Sequence, residues 1–317
     1  MRLFLGVDGG QSSTTALVGG DTGRILGTGS AGPCNHVGAS EGREKLTLAV
    51  RECVSRALEH AGLKATARPQ FEAACFGMSG GPDDKHAILG RILETPSLTV
   101  TTDAVIALSG ATAGKPGIIT IAGTGSISFG RDAAGRTARV GGWGYVFGDE
   151  GGAFDITRQA LRAALRHEEG WGPETALHPM LLAETGAADA NDLLHRFYTS
   201  DYPRPRIAAF AKLVDEAGLN GDRVARDILH AAAQQLAALS ASVRMQLWRT
   251  GDPVAVAYIG GVFRSSMVRE RFRALTELEE GNRCGPPIFG PAAGALLQAY
   301  HAAGLDPVLE NVPEFKE

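Results

Sequence analysis

Long apolar runs, paired cysteines and an excess of basic charge are all missing from this sequence of 317 residues. With 31 basic and 35 acidic residues the net charge is −4 at pH 7, which gives no reason to expect nucleic acid or an anionic membrane as a partner. No apolar run approaches the length of a membrane span, and the N-terminus lacks the basic segment of a signal peptide. We therefore expect a cytoplasmic protein.

The scarcity of cysteine excludes two further classes of protein. The cysteines lie far apart and form no C-x-x-C pair, at positions Cys34, Cys53, Cys75 and Cys284. A zinc site or a disulfide framework is therefore not expected, and a reducing compartment fits this pattern.

Glycine is abundant, since the 42 glycines are roughly twice the usual share. They cluster in short loops and follow neither a collagen-like nor a linker-like repeat. Backbone without Cβ atoms can approach a ligand closely, so these loops predict several ligand contacts. The chain is long enough for two domains of ordinary size.

The first glycine cluster joins two predicted strands and reads Gly6-Val7-Asp8-Gly9-Gly10-Gln11-Ser12-Ser13-Thr14. Because Gly9 and Gly10 have no Cβ, the backbone N–H groups of this turn can face a phosphate. Asp8, at the end of the first strand, can hold Mg²⁺ through water. A plain β-hairpin with an Asp-Gly turn is the alternative.

A second cluster repeats this pattern, since Gly123-Thr124-Gly125-Ser126 joins predicted strands over residues 118–122 and 127–129. This weak internal duplication predicts two α/β lobes. The first lobe covers residues 1–113, rejoined by the last helix at about 292–317, and the second covers residues 114–291.

Two standard phosphate-binding loops, the Walker loop and the dinucleotide fingerprint, are excluded. The run Gly110-Ala111-Thr112-Ala113-Gly114-Lys115 lacks the gap of a Walker loop, and Pro116 stands where Ser or Thr is needed. The turn at Gly123 lacks the third glycine of a dinucleotide fingerprint and leads into a strand. We expect instead that two hairpins clamp a polyphosphate, while Gly260-Gly261 and the turn at residues 290–294 cradle a base and ribose.

The rest of the chain alternates between predicted strands and helices. Hydrophobic spacing predicts helices over residues 44–61, 104–113, 151–166, 221–248 and up to His301, and further strands over residues 25–28, 71–78, 97–102, 136–140 and 254–259. The tail from Asp306 is polar, and we expect it to be loosely held.

Taken in order, these motifs resemble the actin-like sugar-kinase/Hsp70 ATPase superfamily. More closely, they resemble the N-acetylglucosamine kinase branch of the BadF/BadG/BcrA/BcrD-type ATPase family. The resemblance rests on residues 6–14, Cys34-Asn35-His36, Thr101-Thr102-Asp103-Ala104, residues 122–126, 141–145 and 148–151, and Gly260-Gly261.

The resemblance implies an α/β, two-lobed actin-like ATPase (ribonuclease H-like) fold with a central cleft for nucleotide and sugar. It also implies an ATP-dependent kinase that uses Mg²⁺, phosphorylates the 6-hydroxyl of N-acetylglucosamine and forms a homodimer. The implied nucleotide-binding residues are Asp8, Gly9, Gly10, Ser12, Ser13, Thr14, Gly123, Thr124, Gly125, Ala217, Gly260 and Gly261, and Asp8 is the implied Mg²⁺ ligand, through water.

Asp103 follows a predicted strand directly and precedes a helix. The resemblance places the catalytic base here, where a carboxylate would accept the proton of a sugar hydroxyl. The alternative is an N-cap of the helix from Ala104, a position at which Asp is favoured.

The resemblance further implies sugar contacts by Asn35, Asp103, Ser126, Ile127, Gly142, Trp143, Gly144 and Asp149. Each has a structural alternative. Asn35 is of a type common in loops, and Trp143 could be an ordinary core aromatic. Asp149 and Glu150 could be the acids favoured at a helix start.

Three other functions remain open at this point. The first is a kinase of a related sugar, namely glucosamine, N-acetylmuramic acid or glucose. The second is the ATPase activator of a 2-hydroxyacyl-CoA dehydratase, which holds an iron–sulfur cluster with cysteines. No cysteine lies in or just after the turn at Gly123. The third is a non-catalytic sugar sensor, against which the presence of Asp8 and Asp103 argues.

Overall fold

The structure is a computed structural model that describes residues 1–10, 13–34, 40–78 and 85–315. The chain divides into two compact units. The first unit contains Met1–Pro116 together with Pro287–Lys316, and the second contains Gly117–Pro286. The sequence placed these boundaries after residues 113 and 291.

Each unit contains a mixed five-stranded sheet. The strands of the first sheet are β1 (Phe4–Gly9), β2 (Thr14–Gly19), β3 (Ile25–Ala31), β4 (Ala73–Met78) and β5 (Leu98–Thr102). Those of the second sheet are β6 (Gly117–Ala122), β7 (Ser126–Arg131), β8 (Thr137–Gly141), β9 (Val254–Ile259) and β10 (Asn282–Gly285).

The two sheets have the same connectivity. The first has the order β3-β2-β1-β4-β5 and the second the order β10-β9-β6-β7-β8. In each, the first three strands form an antiparallel meander, and two later strands extend it in parallel from the meander's first strand. This agrees with the internal duplication inferred from the sequence.

The helices fill the connections between these strands. They are α1 (Ser40–His60), α2 (Lys85–Leu89), α3 (Asp103–Ala111), α4 (Ala153–Glu168), α5 (Leu177–Thr185), α6 (Ala190–Phe197), α7 (Arg204–Ala209), α8 (Ala211–Leu219), α9 (Arg223–Leu247), α10 (Ser266–Thr276) and α11 (Pro291–Ala302). A 3₁₀ turn covers Gly261–Arg264. None of the helices in the described ranges is long and apolar enough to cross a membrane.

Glycines set how closely α11 packs in the first unit. A Cβ at Gly294 would overlap the carbonyl of Ile106 in α3, and a Cβ at Gly6 would overlap the backbone of Leu296. Side chains at these positions would force α11 away from both β1 and α3. The close packing therefore fixes α3, whose first residue is Asp103, against the end of the sheet.

In the second unit, helices α4 to α10 share one core with the sheet. The helix predicted over residues 221–248 is confirmed as α9, and its Leu236, Val243 and Leu247 are buried in this core. Near α7, the ring of Tyr202 stacks on Phe197 at 5.0 Å and on Phe210 at 6.2 Å between centroids. This aromatic group fixes the position at which α7 begins.

The prediction of a loosely held C-terminal tail is wrong. Glu310 forms a parallel bridge with Arg24, and its carbonyl accepts a 2.9 Å hydrogen bond from the N–H of Ile25. Leu309 is buried in the same cluster as Ile25, and Val312 packs against that cluster. Leu309 and Val312 supply the apolar surface that holds this otherwise polar segment in place.

Candidate active site

The first turn lies between β1 and β2, with Gly9 opposite Thr14. The N–H of Gly10 donates to the carbonyl of Ser13 at 3.0 Å. A Cβ at Gly9 would overlap the sulfur atoms of Cys34 and Met78, so only glycine fits this position. The hydroxyl of Thr14 is buried and donates to the carbonyl of Gly32 at 2.8 Å, which makes it part of the loop's framework.

Two residues of the predicted site, Ser12 and Asn35, lie outside the described residues. Their roles in phosphate and sugar binding stay predictions.

Asp8 and Asp103 lie at the same edge of the first sheet. Asp8 is near the carboxyl end of β1, Asp103 follows the end of β5, and β1, β4 and β5 run parallel. Burial and, secondarily, the charge of Asp103 raise the pKa of Asp8 from its usual value to about 7. The structure therefore brings together the two carboxylates that the sequence had assigned separately.

Asp103 is the exposed first residue of α3, and Thr102 occupies the N-cap position. The interpretation of Asp103 as the N-cap of α3 is therefore wrong by one residue, because Thr102 is the N-cap. Oδ1 of Asp103 accepts a 2.9 Å hydrogen bond from the N–H of Ala104, which orients the carboxylate. Its Oδ2 has no hydrogen-bond partner in the part of the chain that the structure describes, and the residue is exposed.

A divalent cation fits the surroundings of Asp8. A desolvated carboxylate beside a second negative charge gains stability when a cation binds nearby. Among the described residues, no three or more His, Cys, Asp or Glu side chains are placed so that together they could hold a metal ion. Mg²⁺ does not need a larger group of protein ligands, because it keeps several waters and binds substrate phosphates in addition to one or two carboxylates.

In the second unit, the turn between β6 and β7 is fixed against the start of α4. The N–H groups of Ala153 and Phe154 donate to the carbonyls of Gly123 and Thr124 at 2.9 and 3.1 Å. The N–H groups of Thr124 and Gly125 have no acceptor among the described residues. Two backbone donors are thus left for an anion.

Gly260 lies beside this turn, because β6 and β9 run parallel and end at the same edge. Its φ is 113°, and a Cβ there would overlap the carbonyl of Ala122, so the position requires glycine. Around Gly261 there is open space. The edge therefore exposes backbone at Gly261, and the binding of a nucleotide there stays a prediction.

Ala217 does not share this arrangement. It lies within α8 with a side chain that is 1% exposed and packed in the unit's core. Its methyl group is therefore not available to a nucleotide, and this part of the predicted site is not supported.

The segment after β8 exposes an aromatic side chain. Trp143 is 70% exposed, and the guanidinium carbon of Arg139 lies 5.0 Å from its ring centroid. The interpretation of Trp143 as a core aromatic is therefore wrong. Gly142 and Gly144 flank it with positive φ values of 72° and 84°, and the space at Gly144 is open.

Ser126 and Ile127 begin β7 beside this segment. The N–H of Gly142 donates to the carbonyl of Ser126 at 2.9 Å, and a Cβ at Gly142 would crowd the side chain of Ile127. The hydroxyl of Ser126 donates to the carbonyl of Glu150 at 2.6 Å. The structure thus brings these predicted sugar residues together with the segment that carries Trp143.

Asp149 lies buried beneath the turn at Gly125. Its φ of 63° is in the left-handed region, and a Cβ at Gly125 would overlap its carboxylate. Oδ1 accepts a hydrogen bond from the N–H of Ser126 at 3.3 Å, and Oδ2 forms an ion pair with Arg204. Asp149 also precedes α4, whose first-turn acid is Asp155, so the helix-start interpretation of Asp149 is wrong.

Arg204 is the residue of this site that sequence reasoning missed. It lies 55 residues after Asp149, in a segment without glycine turns or a recognisable motif. Only the folded chain brings the two charges together, so no local pattern could have identified this pair.

Comparison with known proteins identifies relatives that match most of the chain. The BadF/BadG/BcrA/BcrD ATPase family model matches residues 5–299. An N-acetylmuramic acid/N-acetylglucosamine kinase of Clostridium acetobutylicum is 31% identical over 88% of this chain and 91% of the relative. An N-acetyl-D-glucosamine kinase of Dictyostelium discoideum is 30% identical over 78% and 80% of the two chains.

Solved structures show the same fold. A Chromobacterium violaceum protein provisionally named N-acetylglucosamine kinase superposes with a TM-score of 0.75, 26% identity and coverage of 94% of this chain and 98% of the other. A ROK family glucokinase of Streptomyces griseus, solved with glucose and AMPPNP, has a TM-score of 0.55 at 20% identity over 94% and 98% of the chains. The predicted α/β actin-like ATPase fold is confirmed.

In metal-free protein, we expect Asp8 to make the free energy of unfolding fall as the pH rises from about 4 to about 7. Folded Asp8 keeps its proton up to a pKa of about 7, whereas an unfolded Asp loses its proton near pH 4. The folded state therefore binds the proton more tightly, and this contribution is lost as the pH rises through the window.

Urea unfolding in EDTA across this range compares the wild type with Asp8→Asn, which has no proton to lose there. The wild type should lose stability relative to the variant as the pH rises, and Asp103→Asn should reduce the loss. Parallel stability curves for wild type and Asp8→Asn would contradict the prediction.

Proposed function

Because the chain belongs to the BadF/BadG/BcrA/BcrD ATPase family, we propose that it is an ATP-dependent amino-sugar kinase. It transfers the γ-phosphoryl group of ATP to the 6-hydroxyl of N-acetylglucosamine. The observation that carries the proposal is the pairing of Asp8 and Asp103 at one sheet edge, one carboxylate desolvated and the other exposed. The names of the two curated relatives support this choice of substrate class.

Asp103 is the general base. Its Oδ2 accepts the proton of the 6-hydroxyl as the hydroxyl oxygen attacks the γ-phosphorus, while the N–H of Ala104 keeps the carboxylate oriented through Oδ1. This use of one oxygen for orientation and the other for the proton is supported by the hydrogen bonding of Asp103 in the structure.

Backbone donors stabilise the phosphate charge. The N–H groups of Thr124 and Gly125 point to no protein acceptor in the described chain and suit phosphoryl oxygens. Open space at Gly123 and Gly261 leaves room for a nucleotide against the backbone. Asp8 would hold Mg²⁺ through water, and the cation would neutralise charge on the phosphates.

The sugar binds against the segment after β8. Exposed Trp143 provides an apolar face for the ring, and Gly144 leaves space beside it. Asp149 and Ser126 supply oxygen atoms for ring hydroxyls. Asn35, outside the described residues, is proposed as a further sugar ligand on the family resemblance.

A broader sugar preference is the second candidate. The Clostridium relative is named for N-acetylmuramic acid as well as N-acetylglucosamine, and a Vibrio cholerae relative that is 28% identical over 56% of this chain is named a glucosamine kinase. By contrast, the activator alternative has little support, since all four cysteines are buried and none belongs to a described cluster of possible metal ligands. A homodimer and a cytoplasmic location stay predictions.

Purified protein with Mg-ATP should release ADP only when a sugar is added, and most efficiently with N-acetylglucosamine. A coupled ADP assay over N-acetylglucosamine, N-acetylmuramic acid, glucosamine and glucose measures kcat/KM for each, and NMR of the product locates the phosphate. ADP release that is equal with and without sugar would reject the kinase. Preference for another sugar of the panel would reject only the substrate assignment.

Asp103→Asn should lower kcat by about two to four orders of magnitude, the usual contribution of a general base. The fold and the affinity for ATP should persist, because Thr102 occupies the N-cap of α3. Steady-state kinetics and nucleotide titration measure the two effects. The exposed Asp21, in the turn before β3, provides the matched control Asp21→Asn. A kcat near that of the wild type would exclude Asp103 as the base.

Gly123→Ala and Gly261→Ala should raise the KM for ATP while leaving the unfolding free energy nearly unchanged. Neither position has a positive φ or a neighbour within 4 Å of an added Cβ, so the methyl group meets only a bound ligand. Gly285 is equally open and lies on β10, which makes Gly285→Ala the matched control. Equal KM values for all three variants would contradict the nucleotide assignment of these turns.

A further inference from the structure

We propose that Arg204 is a positioning residue that holds Asp149 in the orientation in which it binds the sugar. This role rests on the proposed function. Arg204 is the first residue of α7, and its guanidinium forms an ion pair with Oδ2 of Asp149. The side chain of Asp149 is only 7% exposed, and that of Arg204 is 33% exposed.

Asp149 needs a stabilising partner because its backbone conformation is unfavourable. Its φ of 63° lies in a region that residues other than glycine rarely occupy. A buried carboxylate is also unstable without compensating charge and hydrogen bonds. The N–H of Ser126 satisfies Oδ1, and Arg204 supplies the compensating charge at Oδ2.

Arg204 is itself held from two sides. Its guanidinium carbon lies 5.1 Å from the ring centroid of Tyr145 and 5.9 Å from that of Phe154. The stacked rings around Tyr202 fix the start of α7 just before it. Asp149 is the one hydrogen-bond acceptor of this guanidinium among the described residues, and Nε of Arg204 is buried without any.

This arrangement allows Arg204 to orient the carboxylate of Asp149. A bond from its fixed guanidinium leaves the carboxylate of Asp149 little freedom to rotate. Asp149 retains unused lone pairs on both oxygens, which can accept hydrogen bonds from sugar hydroxyls. Loss of Arg204 should therefore weaken sugar binding equally in the ground and transition states.

The experiment compares Arg204→Met, Arg204→Lys and Arg206→Met with the wild type in steady-state kinetics. Arg206 lies on the same helix, and its guanidinium carbon is 4.1 Å from the ring centroid of Tyr202. It donates a hydrogen bond to the carbonyl of Asp201 and none to Asp149, so it is the matched control. We expect Arg204→Met to raise the KM for the sugar by about ten- to a hundredfold, the loss typical of a charge-assisted contact. Its kcat and its KM for ATP should change less than about threefold. Arg204→Lys should give an intermediate KM, and Arg206→Met should match the wild type.

A wild-type KM in Arg204→Met, or a loss of kcat at unchanged KM, would overturn the proposal, since the latter is what a purely structural defect produces. If Arg204→Met does not fold, Asp149→Asn with Arg204→Met removes the isolated charge and is compared with Asp149→Asn alone. Equal sugar KM values for these two support the proposal, and a further rise in the double variant overturns it. A wild-type enzyme that phosphorylates no sugar rejects the proposed function itself, whereas an active wild type with an unaffected Arg204→Met rejects only the role of Arg204.

Discussion

Close backbone contact at glycine is the constraint on which the rest of this structure depends. At Gly294 the last helix passes against the carbonyl of Ile106, and at Gly260 the chain turns against the carbonyl of Ala122. Neither approach leaves room for a Cβ. The first contact fixes the helix that begins with Asp103, and the second places a turn beside Gly123. Side chains at either glycine would move the groups on which the proposed chemistry rests.

Each unit contains a carboxylate of different character, and the neighbours of each carboxylate make the difference. Asp8 is partly buried beside a second acid, so its pKa rises to about 7 and a cation nearby would stabilise its charged form. Asp149 is buried beside Arg204 and a backbone N–H, so the protein itself supplies its compensation. This difference agrees with the proposed roles, in which Asp8 would hold a cation and Asp149 would bind the sugar.

Local patterns predicted those parts of the fold that form within a few residues. The glycine turns at Gly9 and Gly123, and the strands on both sides of them, follow from alternation between apolar runs and glycine. The exposure of Trp143 could not be predicted, because an aromatic residue between glycines is compatible both with a buried position in the core and with an exposed position beside a ligand. The pairing of Asp149 with Arg204 depends on packing of α7 across 55 residues, which no sequence pattern encodes.

The same arrangement of strands appears in both units, yet the two sheets end in different chemical groups. The first sheet ends in carboxylates, Asp8 and Asp103, which suit a cation and a proton. The second sheet ends in backbone N–H groups, at Thr124 and Gly125, which suit an anion. Phosphoryl transfer needs both kinds of group, because charge builds on the phosphoryl oxygens while a proton leaves the attacking hydroxyl. In the proposed function, the first unit would therefore supply the acids and the second unit the backbone donors.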